Sequence, residues 1–257
     1  YRNRTYRALL IGNTYPNSVD ALPSCEVDAD SMEKMLKTMN QTPYKVTKKI
    51  DVTASKILSS ISTAFSGAKD SDVSLFYYSG HGAGGTGSLI GADGKGVTFA
   101  QLRAALDKIP GDKIVILDSC YSGNAINKSS TESGTGSQTD MEAYVDAAME
   151  AFANDVTKSG ELARSKYYVI TACRKDQVSR VLPVSDQGLG LFTYWFERAC
   201  GWDELNDCRF DMLGDANGDG MITFSEAYQK TYSMVKEYVD KYYPGGQVTR
   251  ANPESSS

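Results

Sequence analysis

Ser74-Leu75-Phe76-Tyr77-Tyr78-Ser79-Gly80-His81-Gly82 and Lys113-Ile114-Val115-Ile116-Leu117-Asp118-Ser119-Cys120-Tyr121-Ser122-Gly123 are two apolar runs that each break at a reactive side chain. Runs this short, rich in β-branched and aromatic residues, predict strands over 73–79 and 113–118, with His81 and Cys120 just past their carboxyl ends. Open α/β sheets build their sites at that edge. His81 is the only histidine of the chain. A thiol and an imidazole brought to one sheet edge are the minimum for thiolate attack on a carbonyl, with imidazole supplying the acid and base steps. A lone cysteine is more often a small buried hydrophobe. The glycines around both residues favour the reactive reading, because they let the backbone turn sharply and approach a substrate closely.

Outward from these two runs, strand and helix patterns alternate. Residues 7–12 and Tyr44 to Ile50 read as strands, the second toward a sheet edge, and Tyr167 to Ala172 as another. Asp28 to Met39, Thr53 to Ala68, Thr98 to Lys108 and Leu191 to Ala199 read as helices. The alternation predicts an α/β fold with a mainly parallel central sheet flanked by helices on both faces. The 257 residues suffice for one large core, or one core with an appended module. The expected division is a catalytic domain over 1–200, a C-terminal segment over 201–243 and a flexible tail over 244–257 after Pro244-Gly245-Gly246. Between Asn124 and Ser165 the composition changes: 129–139 is rich in Ser, Thr and Gly, which predicts a mobile loop or lid, and Met141 to Val156 then has helical spacing. Tyr228 and Tyr232, like Tyr238 and Tyr242, stand four apart and are expected to share a helix face against the core.

The net charge of −5 carries no basic cluster, which argues against nucleic acid or an anionic membrane as partner. No apolar stretch approaches the ~18 residues that a spanning helix needs. The start at Tyr1 shows no signal-peptide pattern, which leaves the localisation undecided. A monomer is expected. Five cysteines leave at least one thiol free unless a bridge joins two chains, and Cys120 is assigned as that thiol. Cys200 and Cys208 are close enough in sequence for a small-loop disulfide in an oxidising compartment. Zinc ranks below either state, since there is one histidine and no C-x-x-C pair.

A second motif stands apart from the first. Asp215, Asn217, Asp219, Gly220 and Glu226 meet every constrained position of the twelve-residue calcium loop D-x-[DN]-x-[DN]-G-x5-E. With the Met221 carbonyl and Thr223 they would supply an oxygen cage for Ca2+, and the stretch after Glu226 reads as the exiting helix. The bland alternative is an Asx-rich turn without metal.

Tyr78-Ser79-Gly80-His81-Gly82 and Asp118-Ser119-Cys120-Tyr121-Ser122-Gly123 resemble the His and Cys motifs of the caspase-like cysteine peptidases, and among these the metacaspases and their bacterial relatives. The resemblance implies a caspase-like three-layer sandwich in which Cys120 is the nucleophile and His81 the acid and base. It also implies that the backbone N–H groups of Gly82 and Cys120 hold the oxyanion. No side chain is assigned to orient His81, a part the family often gives to a backbone carbonyl. Leu22-Pro23-Ser24-Cys25-Glu26-Val27-Asp28-Ala29 resembles another family segment, with Ser24 where Gly is usual. Carried over, Cys25, Asp28, Ser79 and Asp118 line an S1 pocket. Two carboxylates at the base of a cleft call for a cation, so the expected substrates are proteins or peptides with Arg, then Lys, at P1. Lys128, Lys158, Arg164 and Lys166 in or beside the 124–165 segment would then be candidate self-cleavage sites. The competing readings are a legumain-like relative with another P1 choice, and a catalytically silent, calcium-binding scaffold.

Overall fold

A computed structural model describes residues 4–39, 42–84, 87–121, 138–153, 167–173, 181–182, 188–242 and 248–251. In chain order the elements are β1 (Tyr6–Gly12), α1 (Ser24–Thr38), β2 (Lys45–Ile50), α2 (Ala54–Ala64), β3 (Val73–Ala83), β4 (Ser88–Ile90), β5 (Gly96–Thr98), α3 (Phe99–Leu106), β6 (Asp112–Tyr121) and α4 (Gln138–Ala151). There follow β7 (Tyr167–Cys173), β8 (Val181–Leu182), β9 (Leu189–Gly190), α5 (Leu191–Ala199), β10 (Trp202–Asp203), β11 (Cys208–Arg209), α6 (Phe224–Tyr242) and β12 (Val248–Ala251).

The central sheet runs in the order β12-β7-β6-β3-β1-β2. All neighbours on this path are parallel except β12, which lies antiparallel against β7. Strand alternation divides the interior into two layers. Leu9, Ile11, Phe76, Tyr78, Val115 and Leu117 face a core closed by Ile57 and Ile61 of α2, Phe99 and Leu102 of α3, and Val145 and Ala148 of α4. Ala8, Leu10, Leu75, Tyr77 and Ile116 face the other, closed by Met32 and Met35 of α1, Phe192 and Phe196 of α5, and Ala227 of α6. This is the expected mainly parallel sheet between two helical layers.

The elements differ from the sequence expectation where pairing or packing extends them. β3 and β6 continue past 79 and 118, because parallel register holds through Gly82↔Tyr121 and the short antiparallel β4 adds to the end of β3. His81 and Cys120 are therefore within their strands, near the carboxyl ends. α1 opens at Ser24 instead of Asp28, directly after Pro23, a residue suited to a helix start. At the other end, 248–251 do not fray with the expected tail but cover the edge of β7. The C-terminal segment also joins the main core: Phe224 and Tyr228 pack on the α1/α5 layer, while Val235 and Val239 pack on Leu191. The tyrosine face is only half buried, with Tyr232 and Tyr242 exposed. Cys200 and Cys208 are both free thiols, which excludes the small-loop disulfide here. The four candidate self-cleavage residues lie outside the described residues, as does most of the 124–165 segment apart from α4. Among the described residues, no helix is long and apolar enough to cross a membrane.

Candidate active site

Parallel register sets His81 opposite Cys120, and two residues earlier Ser79 opposite Asp118. Because faces alternate along a strand, positions 77, 79 and 81 of β3 and 116, 118 and 120 of β6 fall on the sheet face covered by α1 and α5. One pairing register thus sets four of the candidate site positions, 79, 81, 118 and 120, side by side.

The imidazole is held from behind. His81 Nε2 lies 2.7 Å from the carbonyl oxygen of Asp20, in the chain between β1 and α1. A carbonyl only accepts, so Nε2 carries the proton and Nδ1 is left with its lone pair. Nδ1 is buried and has no hydrogen-bond partner among the described residues. That tautomer leaves the Nδ1 lone pair able to take up a proton. Burial lowers the His81 pKa below its usual 6.5, and the Asp20 carbonyl opposes that shift by favouring the protonated ring. The orienting group is therefore a backbone carbonyl, which no sequence pattern marks.

Asp28 and Asp118, each 2% exposed, come together at Gly190. Ser79 Oγ donates to Asp28 Oδ2 at 2.7 Å, and the Gly190 N–H donates to Asp28 Oδ1 at 2.6 Å. Thr193 Oγ1 donates to Asp118 Oδ2 at 2.8 Å. The single Thr193 proton is spent there, so the Tyr77 hydroxyl, 2.7 Å away, donates to Thr193. Burial, together with the Asp28 and Asp118 charges, pushes the Tyr77 pKa well up and keeps it a donor. A Cβ at Gly190 would stand 2.9 Å from Asp118 Oδ2 and 3.0 Å from both Asp28 oxygens. Glycine is thus required where the β9–α5 junction passes close to both carboxylates. Cys25 is buried in the first turn of α1, near the Tyr15 and Tyr78 hydroxyls. Gly190 and Thr193, which contact the two carboxylates, and Tyr77, which contacts Thr193, were missed by sequence reading. They come from elements remote in the chain, and a lone Gly or Thr at a helix start has no signature of its own.

Gly82 sits in register between Leu89 of β4 and Tyr121 of β6. The space its Cβ would fill is taken by the Tyr144 ring of α4 at 2.9 Å, and the Tyr144 hydroxyl meets Ser119 Oγ at 2.5 Å. Glycine is required here by packing on the α2/α3/α4 side.

Residues 215–226 form a loop ahead of α6. Asp215 accepts from the N–H groups of Gly218 and Gly220 at 2.8 and 2.9 Å, Asn217 Oδ1 from Asp219 N–H at 2.9 Å, and Asp219 Oδ1 from Met221 N–H at 2.8 Å. Glu226 Oε2 accepts from the Thr223 N–H and hydroxyl, which lowers its pKa. The all-oxygen donor set fits a hard cation and the loop is already turned. Among the described residues, however, no group of three or more His, Cys, Asp or Glu stands close enough to hold a metal. The β10–β11 hairpin occupies the place of an entering helix.

A mainly parallel sheet between two helical layers thus carries histidine and cysteine at facing positions of adjacent strands. The family model described as the caspase domain matches residues 5–208. The chain belongs to the caspase-domain family of peptidases. It is 28% identical over 155 residues to metacaspase-7 of Arabidopsis thaliana, covering 52% of this chain and 38% of that protein, so it spans well under half the relative's length. Among solved structures, a Geobacter sulfurreducens protein superposes with a TM-score of 0.58 at 18% identity, covering 96% of this chain and 92% of the other. The structure of pro-sf-caspase-1 gives a TM-score of 0.58 at 14% identity, covering 97% and 91%. At these identities the two structures speak to the fold.

Proposed function

We propose that the protein is a cysteine endopeptidase that cleaves after arginine or lysine. The observation that carries the reading is the His81↔Cys120 register, combined with an imidazole tethered at Nε2 and open at Nδ1. The Cys120 thiol gives its proton to His81 Nδ1 and attacks the scissile carbonyl; the tetrahedral oxyanion accepts hydrogen bonds from the backbone N–H groups of Gly82 and Cys120. His81 returns the proton to the leaving amine as the C–N bond breaks. Water, deprotonated by His81, then adds to the thioester, and the acid is released as the thiol is regenerated. The Asp28/Asp118 pair beside Gly190 supports a guanidinium or ammonium at P1, because two carboxylates can take several charge-assisted hydrogen bonds from one cation.

Self-cleavage at Lys128, Lys158, Arg164 or Lys166 and a structural or regulatory Ca2+ at Asp215, Asn217, Asp219, Met221, Thr223 and Glu226 are further parts of this proposal. The first rests on the basic P1 choice and the high effective concentration of tethered sites. The second rests on the loop's donor chemistry. Fluorogenic peptides with Arg, Lys, Asn and Asp at P1, run beside thiol labelling of Cys120, test the reading. Turnover restricted to Arg and Lys with fast Cys120 labelling supports it. Preference for Asn would instead favour the legumain-like choice, and a Cys120 no more reactive than the other thiols would mark a silent scaffold.

A further inference from the structure

Tyr15 and Tyr78 form an unusual feature around His81. The register Gly82↔Leu89 and Ala83↔Ser88 makes His81 and Ile90 the next facing residues of β3 and β4. Their backbones are bridged by two phenol hydroxyls. The His81 N–H donates to Tyr15 Oη at 3.0 Å, and Tyr15 Oη donates to the Ile90 carbonyl at 2.7 Å. In return the Ile90 N–H donates to Tyr78 Oη at 3.2 Å, and Tyr78 Oη has two acceptors for its proton, the His81 carbonyl at 2.8 Å and the Ile90 carbonyl at 2.7 Å. Tyr15 already serves the Ile90 carbonyl, so the arrangement that satisfies every partner has Tyr78 donating to the His81 carbonyl. The two oxygens lie 2.9 Å apart. A Cβ at position 80 would strike Tyr78 Oη at 2.6 Å and Tyr15 Oη at 3.0 Å, so Gly80 makes room for the pair.

The Tyr15 ring also lies against the imidazole, with centroids 4.5 Å apart and planes inclined by 35°. It reaches this position from a left-handed backbone at φ 52°, a costly conformation for a tyrosine. Asp51, itself at φ 51°, holds that turn: its carboxylate accepts from the N–H groups of Thr14 and Tyr15 at 2.6 and 3.2 Å and from Thr14 Oγ1 at 2.8 Å. The same connection carries Asp20, whose carbonyl fixes Nε2.

We infer that Tyr15 is a positioning residue for His81: its hydroxyl, paired with that of Tyr78, replaces a backbone ladder step to fix the histidine's main chain, while its ring shields the imidazole. Both phenols stay protonated, since burial raises their pKa values. Among the described residues, the groups that face the imidazole are the Tyr15 ring and the Asp20 carbonyl, with position 120 opposite in backbone register, and Asp20 is the charged residue that acts on it. The catalytic part of this inference rests on the peptidase reading above, whereas the structural part does not.

The test uses the full chain with Tyr15→Phe and Tyr15→Ala, and it exploits His81 being the only histidine, so that its ring titration by NMR is unambiguous. Tyr15→Phe keeps the ring and deletes the acceptor. We expect His81 amide exchange to quicken about tenfold and kcat to fall about tenfold, as for one lost buried hydrogen bond, with KM and the His81 pKa unchanged. Tyr15→Ala also uncovers the ring, so the His81 pKa should rise toward 6.5 and the acid limb of kcat/KM should follow it. Unchanged amide exchange and kcat in Tyr15→Phe overturn the inference, as does a wild-type His81 pKa in a folded Tyr15→Ala. If Tyr15→Ala does not fold, Tyr15→Phe decides alone. A wild-type protein that cleaves no peptide sinks the peptidase reading, and amide exchange and ring titration still decide the clamp.

Discussion

Replacing Asp28 by Asn removes a charge from the pocket while preserving its shape. In the free protein the Asp28 carboxylate accepts from Ser79 Oγ and the Gly190 N–H. An asparagine oxygen can keep the Gly190 bond, and the Ser79 hydroxyl can turn to accept from the new amide. What disappears is one of the two anions at Gly190. At an effective dielectric near 20, an ion pair at ~4 Å is worth about 4 kcal/mol, and breaking a buried pair costs about 3–5 kcal/mol. At about 1.4 kcal/mol per tenfold, kcat/KM for an Arg-P1 peptide should fall by about 10²–10³. A peptide with a neutral P1 residue never forms the pair and should lose less than about threefold. Because the two anions at Gly190 repel each other, the thermal midpoint should hold or rise, which separates pocket chemistry from damage to the fold. The assay is a matched pair of fluorogenic substrates differing only at P1, with melting curves on the same preparations. Equal losses on both substrates, at unchanged stability, would refute the assignment of Asp28 as a P1 anion.

Cys120→Ala should abolish turnover and leave the fold intact, while His81→Ala should lower kcat about 10²–10⁴-fold; steady-state kinetics on both check this. Gly190→Ala should exclude a basic side chain, since its methyl would stand against both carboxylates, and the loss should appear in inhibition by Arg-containing peptides as well as in turnover. Burial depresses the His81 pKa, so the neutral base persists below 6.5 and the acid limb of kcat/KM should lie below that value. The same shift contributes stability that is full above 6.5 and is lost as pH falls through the folded-state pKa, which acid titration of the melting temperature will show. Calorimetry with Ca2+ should give one site in wild type and none in Glu226→Gln; identical isotherms would remove the loop as a ligand.

The strands, their buried character and the two reactive positions were legible in sequence because a fully buried parallel strand writes itself as a continuous β-branched and aromatic run. The apolar runs stop before the strands do, since β3 and β6 stay paired through Gly82↔Tyr121, and the proposed site lies on that extension. Asp28 and Asp118 were legible only through family motifs, since a single carboxylate at a helix start or a strand end is ordinary. That a backbone carbonyl orients His81 came only from the family resemblance, and which carbonyl was not legible: every residue has one, and the place of Asp20 depends on how the β1–α1 connection lies across β3. Gly190, Thr193 and Tyr15 reach the site across long chain separations, so no local pattern of propensity or spacing reports them. β12 escaped for a related reason. Four residues gain their strand character from the open edge of β7, and an edge exists only once the sheet has been assembled. Local residue chemistry decided which strands form and which groups could react, whereas register and docking of distant backbone decided which tautomer the histidine holds and what stands beside the two acids.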